Sequence, residues 1–178
     1  MTADSGRSPK AVATFGGAEA KLGTNSISMA IPSDLPGPFC LDMATSAVAA
    51  GKIMLAQAKG VPLPEGWVVD KHGKPTTNPA DFKDGGVLMP LGGPEGHKGY
   101  GLAAMVEILS GLLPGLGFGV EPTGRHNDGV FMACFKVSAL RDLPTFKKEV
   151  TEFAAYLKAT KPMVGFTEVL YPGEVEYR

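Results

Sequence analysis

The stretch Gly92-Gly93-Pro94-Glu95-Gly96-His97-Lys98-Gly99-Tyr100-Gly101 runs directly into the apolar segment 102–113, and this junction constrains the chain more than any other. Glycine lets main-chain N–H groups approach a ligand, the first N–H groups of a helix lack intrahelical partners, and Lys98 adds a full positive charge. A phosphate or a carboxylate fits such a cradle. The same residues also suit a loop that does no more than deliver the chain to a core helix.

At 178 residues the chain has the length of one domain, and a single core of that size buries about two-thirds of the unfolded surface. Lys+Arg 17 against Asp+Glu 18 leaves a net charge of −1, so no footprint for nucleic acid or an anionic membrane is expected. The two cysteines, Cys40 and Cys134, sit in apolar runs without neighbours at metal-ligand spacing, which predicts free, buried thiols, with a disulfide as the alternative, and no metal site. No apolar run approaches a membrane span and the polar start is unlike a secretory signal, so a cytoplasmic protein is expected.

Along the chain, Ile27, Met29 and Ile31 alternate with small residues, the period of a half-buried strand ended by Pro32. A short strand, Phe39-Cys40-Leu41, ends at Asp42. From Asp42 the pattern is helical to Gly60, with Asp42, Thr45 and Ser46 as caps and Gly60 as the stop. Asp42 serves equally as a cap or as a ligand contact at a helix start. Residues 61–86 hold Pro62, Pro64, Pro75 and Pro79 and read as turns anchored by Trp67, with His72 in an exposed turn. Residues 102–113 form a wide apolar stripe in which only Glu107 and Ser110 are polar, which predicts a buried central helix. The cluster Arg125-His126-Asn127-Asp128 is a turn or a substrate-facing loop. Residues 130–137 read as a central strand, residues 142–158 as an amphipathic helix capped by Asp142 with Pro144 in its first turn, and residues 164–171 as a last strand closed by Pro172-Gly173-Glu174.

Common chemistries fail on spacing. Lys98 is followed by Gly99 where a P-loop needs Ser or Thr, and Gly115-Leu116-Gly117-Phe118-Gly119 follows a helix and has its third glycine misplaced for the dinucleotide fingerprint. Of the three histidines, only His97 lies in a chemical constellation.

Taken in order, Leu22-Gly23-Thr24-Asn25, Leu41-Asp42-Met43-Ala44-Thr45-Ser46, Gly51-Lys52-Ile53, Pro64-Glu65-Gly66-Trp67, Pro75-Thr76-Thr77, Leu91-Gly92-Gly93, Gly96-His97-Lys98-Gly99-Tyr100-Gly101 and Tyr171-Pro172-Gly173-Glu174 closely resemble the type-2 malate/L-lactate dehydrogenase family. The resemblance implies an α/β fold with a mixed sheet flanked by helices, of the non-Rossmann, malate/L-sulfolactate dehydrogenase-like NAD(P)-binding type. It implies hydride transfer between NAD or NADP and a small 2-hydroxy or 2-oxo acid, in a homodimer. By the same resemblance Asp42, Met43, Ala44, Thr45, Ser46, Lys98, Gly99, Pro172, Gly173 and Glu174 face the cofactor, and Thr24, Asn25 and His97 the substrate. The family's catalytic histidine lies ahead of the stretch matching Met1. Residues 1–178 are therefore expected to be a single, truncated cofactor-binding domain without that residue, and a dinucleotide-binding fragment without catalysis is the competing expectation.

Overall fold

The structure, a computed structural model, describes residues 2–6, 10–119 and 128–178. Arg125, His126 and Asn127 of the polar cluster lie outside the described residues, while Asp128 opens a strand. The chain divides into two compact units, one made of Ser28–Asp42 and Met132–Arg178, the other of Thr2–Ile27 and Met43–Phe131.

The larger unit is built on a five-stranded mixed sheet. Its strands are β2 (Val12–Ala13), β3 (Ala20–Leu22), β6 (Val68–Val69), β7 (Pro75–Thr76) and β8 (Val87–Leu88), in the order β3-β2-β8-β6-β7. β2 and β8 run parallel and the other pairs antiparallel. The proline-punctuated excursion therefore does more than turn, because it supplies β6, β7 and a single 3-10 turn, Pro79–Phe82. Helix α1 (Ala50–Lys59) places Ile53 in a core with Val12, Leu22, Val48, Leu63, Val68, Leu88 and Ala103, and Trp67 packs against that core as its sequence position suggests.

Helix α1 starts well after Asp42. β5 (Phe39–Met43) carries the strand past Asp42, and Thr45 and Ser46 are drawn into contacts with other segments that hold the backbone out of a helix. Its N-cap is Ala49, with no side-chain hydrogen bond, whereas Gly60 stops it in the left-handed conformation at φ 66° as expected.

Helix α2 (His97–Val106) begins inside the glycine-rich stretch and continues into a π-helical segment, Glu107–Leu112. The apolar stripe does not form a wholly buried helix. Leu102, Met105, Ile108 and Leu112 are exposed in this chain, and the inward face carries Gly99, Ala103, Val106, Glu107, Ser110 and Gly111. Apart from Val106, the inward side is thus small or polar, the reverse of simple amphipathic patterning. A tight approach explains the small residues: a Cβ on Gly129 would fall 1.8 Å from the Ser110 carbonyl oxygen.

β9 (Asp128–Met132) is shorter than the apolar run suggests and neighbours only β1 (Thr2–Gly6) among the described strands. It is no central strand, and Val130, Met132 and Phe135 are exposed.

In the smaller unit lie most of β4 (Ile27–Ile31), most of β5, and α3 (Leu143–Lys158). Helix α3 forms as its sequence dictates. The Asp142 side chain accepts from the Thr145 N–H at 3.0 Å and Pro144 occupies the first turn, where its missing N–H costs little. The Phe39 ring packs between Phe153 and Tyr171, with centroids 6.1 and 5.9 Å away. Residues 164–171 form turns and coil instead of a strand. Val164 and Phe166 are exposed, and the segment is held by ion pairs and the ring of Tyr171. The cysteines are free, but Cys40 is only half-buried and Cys134 is exposed, because the apolar run around Cys134 leaves the strand after Met132. No helix among the described residues is long and apolar enough to cross a membrane.

Candidate functional site

In the larger unit, three of the sequence motifs are joined by main-chain hydrogen bonds. β3 ends at Leu22, and the loop after it brings Thr24 and Asn25 beside residue 45. The Thr45 N–H donates to the Thr24 carbonyl at 2.9 Å, and the Thr45 hydroxyl lies 3.0 Å from the carbonyls of both Thr24 and Asn25. The Leu91 N–H in turn donates to the Thr45 carbonyl at 3.0 Å, and the Gly99 N–H donates to the Leu91 carbonyl at 3.2 Å. Ser46 forms an antiparallel bridge with Pro90, and its hydroxyl donates to the Val48 carbonyl at 2.9 Å. Segments far apart in sequence thus form one relay: the Gly23-Thr24-Asn25 loop, residues 43–46, and the glycine-rich start of α2. Thr45 and Ser46 are buried, and Met43 and Ala44 half-buried.

Gly99 serves the relay by lacking a side chain. A Cβ there would fall 2.3 Å from the Leu91 carbonyl oxygen and 2.6 Å from its nitrogen. The Gly96 N–H donates to the Gly93 carbonyl at 3.0 Å. The loop therefore commits the N–H groups of Gly96 and Gly99 to its own construction.

Beside this relay Lys98 and His97 stand in solvent. Lys98 Nζ lies 3.4 Å from a Glu95 carboxylate oxygen and His97 Nε2 3.8 Å from the same atom, and the Lys98 side chain is 69% exposed. Such pairs contribute at most about 1 kcal/mol and hold neither side chain firmly. The Phe15 ring packs edge-on against His97 at 5.7 Å. Lys98 is an exposed cation next to a helix N-terminus, suited to an oxyanion.

Below the relay lies a polar cluster whose members Asn25 and Glu107 the sequence marked separately, without joining them to each other or to Lys10. Glu107, at the change from α- to π-helix, is buried and accepts from Lys10 Nζ at 3.0 Å, and the Lys10 side chain is only 3% exposed. The other oxygen of Glu107 accepts from Asn25 Nδ2 at 2.9 Å. The same nitrogen donates to the Ala103 carbonyl, also at 2.9 Å. Asn25 is 3% exposed and has the one positive φ, 41°, among non-glycine residues described. The signal was present in the sequence: an acidic residue interrupting an otherwise apolar helix is either at the surface or paired inside.

In the smaller unit Asp42 is exposed near the end of β5. The turn at Pro172-Gly173-Glu174 is tied to β5 by the Cys40 N–H, which donates to the Pro172 carbonyl at 3.0 Å. Gly173, at φ 91°, lies so close that a Cβ would sit 3.1 Å from three atoms of Cys40. Glu174 is buried and accepts from Lys158, from Arg178 at 2.7 Å, and from the Tyr171 N–H at 3.2 Å. The hydrogen bond from Lys158 is the main cause of a carboxyl pKa lowered to about 2; burial opposes it, and Arg178 and the Tyr171 N–H add to it. Among the described residues, no group of three or more His, Cys, Asp and Glu side chains could hold a metal ion.

Residues 2–178 match the family profile described as malate/L-lactate dehydrogenase. The chain belongs to the malate/L-lactate dehydrogenase family. It is 41% identical over 174 residues to the L-sulfolactate dehydrogenase of Methanocaldococcus jannaschii, covering 94% of this chain and 48% of that protein. To the malate dehydrogenase of Pyrococcus horikoshii it is 38% identical over 171 residues, covering 92% of this chain and 47% of that one. Among solved structures, a malate dehydrogenase from Entamoeba histolytica superposes with a TM-score of 0.89 at 32% identity, over 99% of this chain and 53% of that one. The chain spans about half the length of the curated relatives it matches. The membership expected from the ordered motifs holds, and so does an α/β fold with a mixed sheet.

Proposed function

We propose that this chain carries the dinucleotide-binding part of an oxidoreductase that moves a hydride between NAD or NADP and a small 2-hydroxy or 2-oxo acid. The observation that supports the reading is the relay of Thr24, Thr45, Leu91 and Gly99, which joins three family motifs with main-chain hydrogen bonds and leaves Lys98 exposed beside them. Taken by themselves, the exposed ammonium of Lys98 suits a dinucleotide phosphate and the exposed carboxylate of Asp42 suits ribose hydroxyls.

When bound, the nicotinamide supplies or accepts the hydride. The roles left to the chain are to bind and orient. Lys98 neutralises a phosphate, the N-terminus of α2 adds its partial positive charge, and residues 43–46 present a rigid edge fixed by Thr45. Asp42 takes the ribose hydroxyls. Thr24 and His97 are assigned to the acid, with Asn25 acting through the backbone it holds. The Pro172-Gly173-Glu174 turn, kept rigid by its ion pairs, is assigned to the cofactor by the family resemblance alone.

The test is titration of the 178-residue chain with NADH and NADPH, followed by Trp67 fluorescence, and repeated on Lys98→Ala. Loss of a charge-assisted contact predicts a dissociation constant raised about tenfold or more, with an unchanged melting temperature because the Glu95 pair is exposed. Absence of binding, or equal affinity in the variant, refutes the assignment. Oxidation of NADH or NADPH on adding pyruvate, oxaloacetate or larger 2-oxo acids separates an enzyme from a binding-only fragment.

A further inference from the structure

We propose that Glu107 is the positioning residue of the cofactor-facing segment 43–46, acting through Asn25. This rests on the dinucleotide reading of that segment given above.

Taking a carboxylate and an ammonium out of water is costly, and apolar residues of similar volume often serve stability as well or better. Pair energy alone therefore gives little reason to bury Lys10 and Glu107. What the pair does provide is an anchored acceptor. Lys10 at 3.0 Å holds one oxygen of Glu107, which leaves the other aimed at Asn25 Nδ2 at 2.9 Å. The second hydrogen of Nδ2 is spent on the Ala103 carbonyl, so the side-chain amide is fixed by two acceptors at the α2–π junction.

That fixation has a backbone consequence. Asn25 is held at φ 41°, a conformation that residues with a Cβ seldom adopt and that asparagine tolerates best. In this conformation the Thr24 and Asn25 carbonyls both face Thr45 and receive its hydroxyl, and the Thr24 carbonyl also receives its N–H. Glu107 thus sets, through one side-chain amide, where residue 45 sits and therefore where the edge of segment 43–46 lies. The widened π turn begins at Glu107 itself, and π-helical insertions recur at functional sites.

The test replaces the ion pair by apolar residues of similar length, Lys10→Met with Glu107→Leu, in the full chain. Melting should stay near that of the unchanged protein. Hydrogen exchange at the Thr45 amide should accelerate about tenfold or more, the Asn25 side-chain amide resonance should move, and NADH affinity should fall about tenfold. Lys10→Met with Glu107→Gln, which returns an oxygen to Asn25 without a buried charge, should restore protection and affinity to within about threefold by the same arithmetic. Asn25→Gly keeps access to the left-handed backbone but removes the amide, and should lose Thr45 protection with the ion pair intact. Undiminished Thr45 protection in the apolar pair, or no recovery with glutamine, overturns the proposal. If the unchanged chain binds neither NADH nor NADPH, the dinucleotide reading fails, while Thr45 exchange still reports whether Glu107 positions the segment.

Discussion

Two glycines two residues apart in α2 are predicted to respond to alanine with opposite sign. Intrinsic propensity favours Ala over Gly in a helix by up to about 1 kcal/mol, so on local grounds both Gly99→Ala and Gly101→Ala should stabilise. At Gly101 nothing lies within 4 Å of an added Cβ, and that gain should be realised. At Gly99 the added Cβ meets the Leu91 oxygen at 2.3 Å, its nitrogen at 2.6 Å and its Cβ at 2.8 Å. The first is short of ordinary contact by roughly 1 Å, and the opposing atoms are mostly backbone that cannot rotate away. Relief requires α2 to lift from Leu91, which also lengthens the 3.2 Å Gly99–Leu91 hydrogen bond. Overpacking of this kind costs about 1–3 kcal/mol, and because the local gain is common to both positions the two variants should differ by about that amount. For a chain of this length each kcal/mol moves the melting temperature by about 2–4 °C. Thermal denaturation followed by circular dichroism resolves such a difference easily. Gly51→Ala in α1, also in open space, supplies a second positive control. A Gly99→Ala protein that melts at or above the Gly101→Ala protein would refute the close approach of α2 to Leu91, and with it the last link of the relay.

Other perturbations address separate parts of the molecule. Thr45→Val keeps the side-chain shape but removes the hydroxyl from the part-buried Thr24 carbonyl and the buried Asn25 carbonyl, which should cost about 1–3 kcal/mol, with Thr45→Ser losing less. Equal melting of the valine and serine variants would count against the hydroxyl contact. For Glu174 the folded pKa of about 2 lies below the ordinary glutamate value of 4.5. The stability its network supplies is therefore complete above about 4.5 and is lost as the pH falls from there toward 2. Carboxyl titration by NMR, with Glu174→Gln as reference, measures this, and an apparent pKa near 4.5 would contradict the network.

Legibility in the sequence followed the range of the forces involved. Helix α3 was readable because its determinants are local: Asp142 caps, Pro144 starts, and apolar residues recur at helical spacing. The stop of α1 at Gly60 was readable for the same reason. The start of α1 was not. Asp42, Thr45 and Ser46 have the composition of caps, but Thr45 is claimed by carbonyls 20 and 21 positions away, an influence no local window contains. The run at residues 164–171 has strand-like composition, yet the chain forms no sheet partner for it among the described residues and ties it down through Arg178 and Glu168 at 2.7 Å. For the candidate site, the motifs marked the segments that meet, but not the support beneath them. Glu107 stood out as a polar residue in an apolar helix, while its partner Lys10, 97 positions away, had no signal at all.

The relay through Thr24, Thr45, Leu91 and Gly99 is made mainly of amide and carbonyl groups. Groups that every non-proline residue possesses are indifferent to mutation, so the scaffold's geometry is insulated from most changes in the side chains it displays. Only a few positions carry strict requirements: no Cβ at Gly99, a hydroxyl at Thr45, and the Asn25 side-chain amide with its Glu107 acceptor. Around those fixed points His97, Lys98 and their exposed neighbours can be exchanged almost freely. A chain built this way can drift toward new ligands without first surrendering its fold.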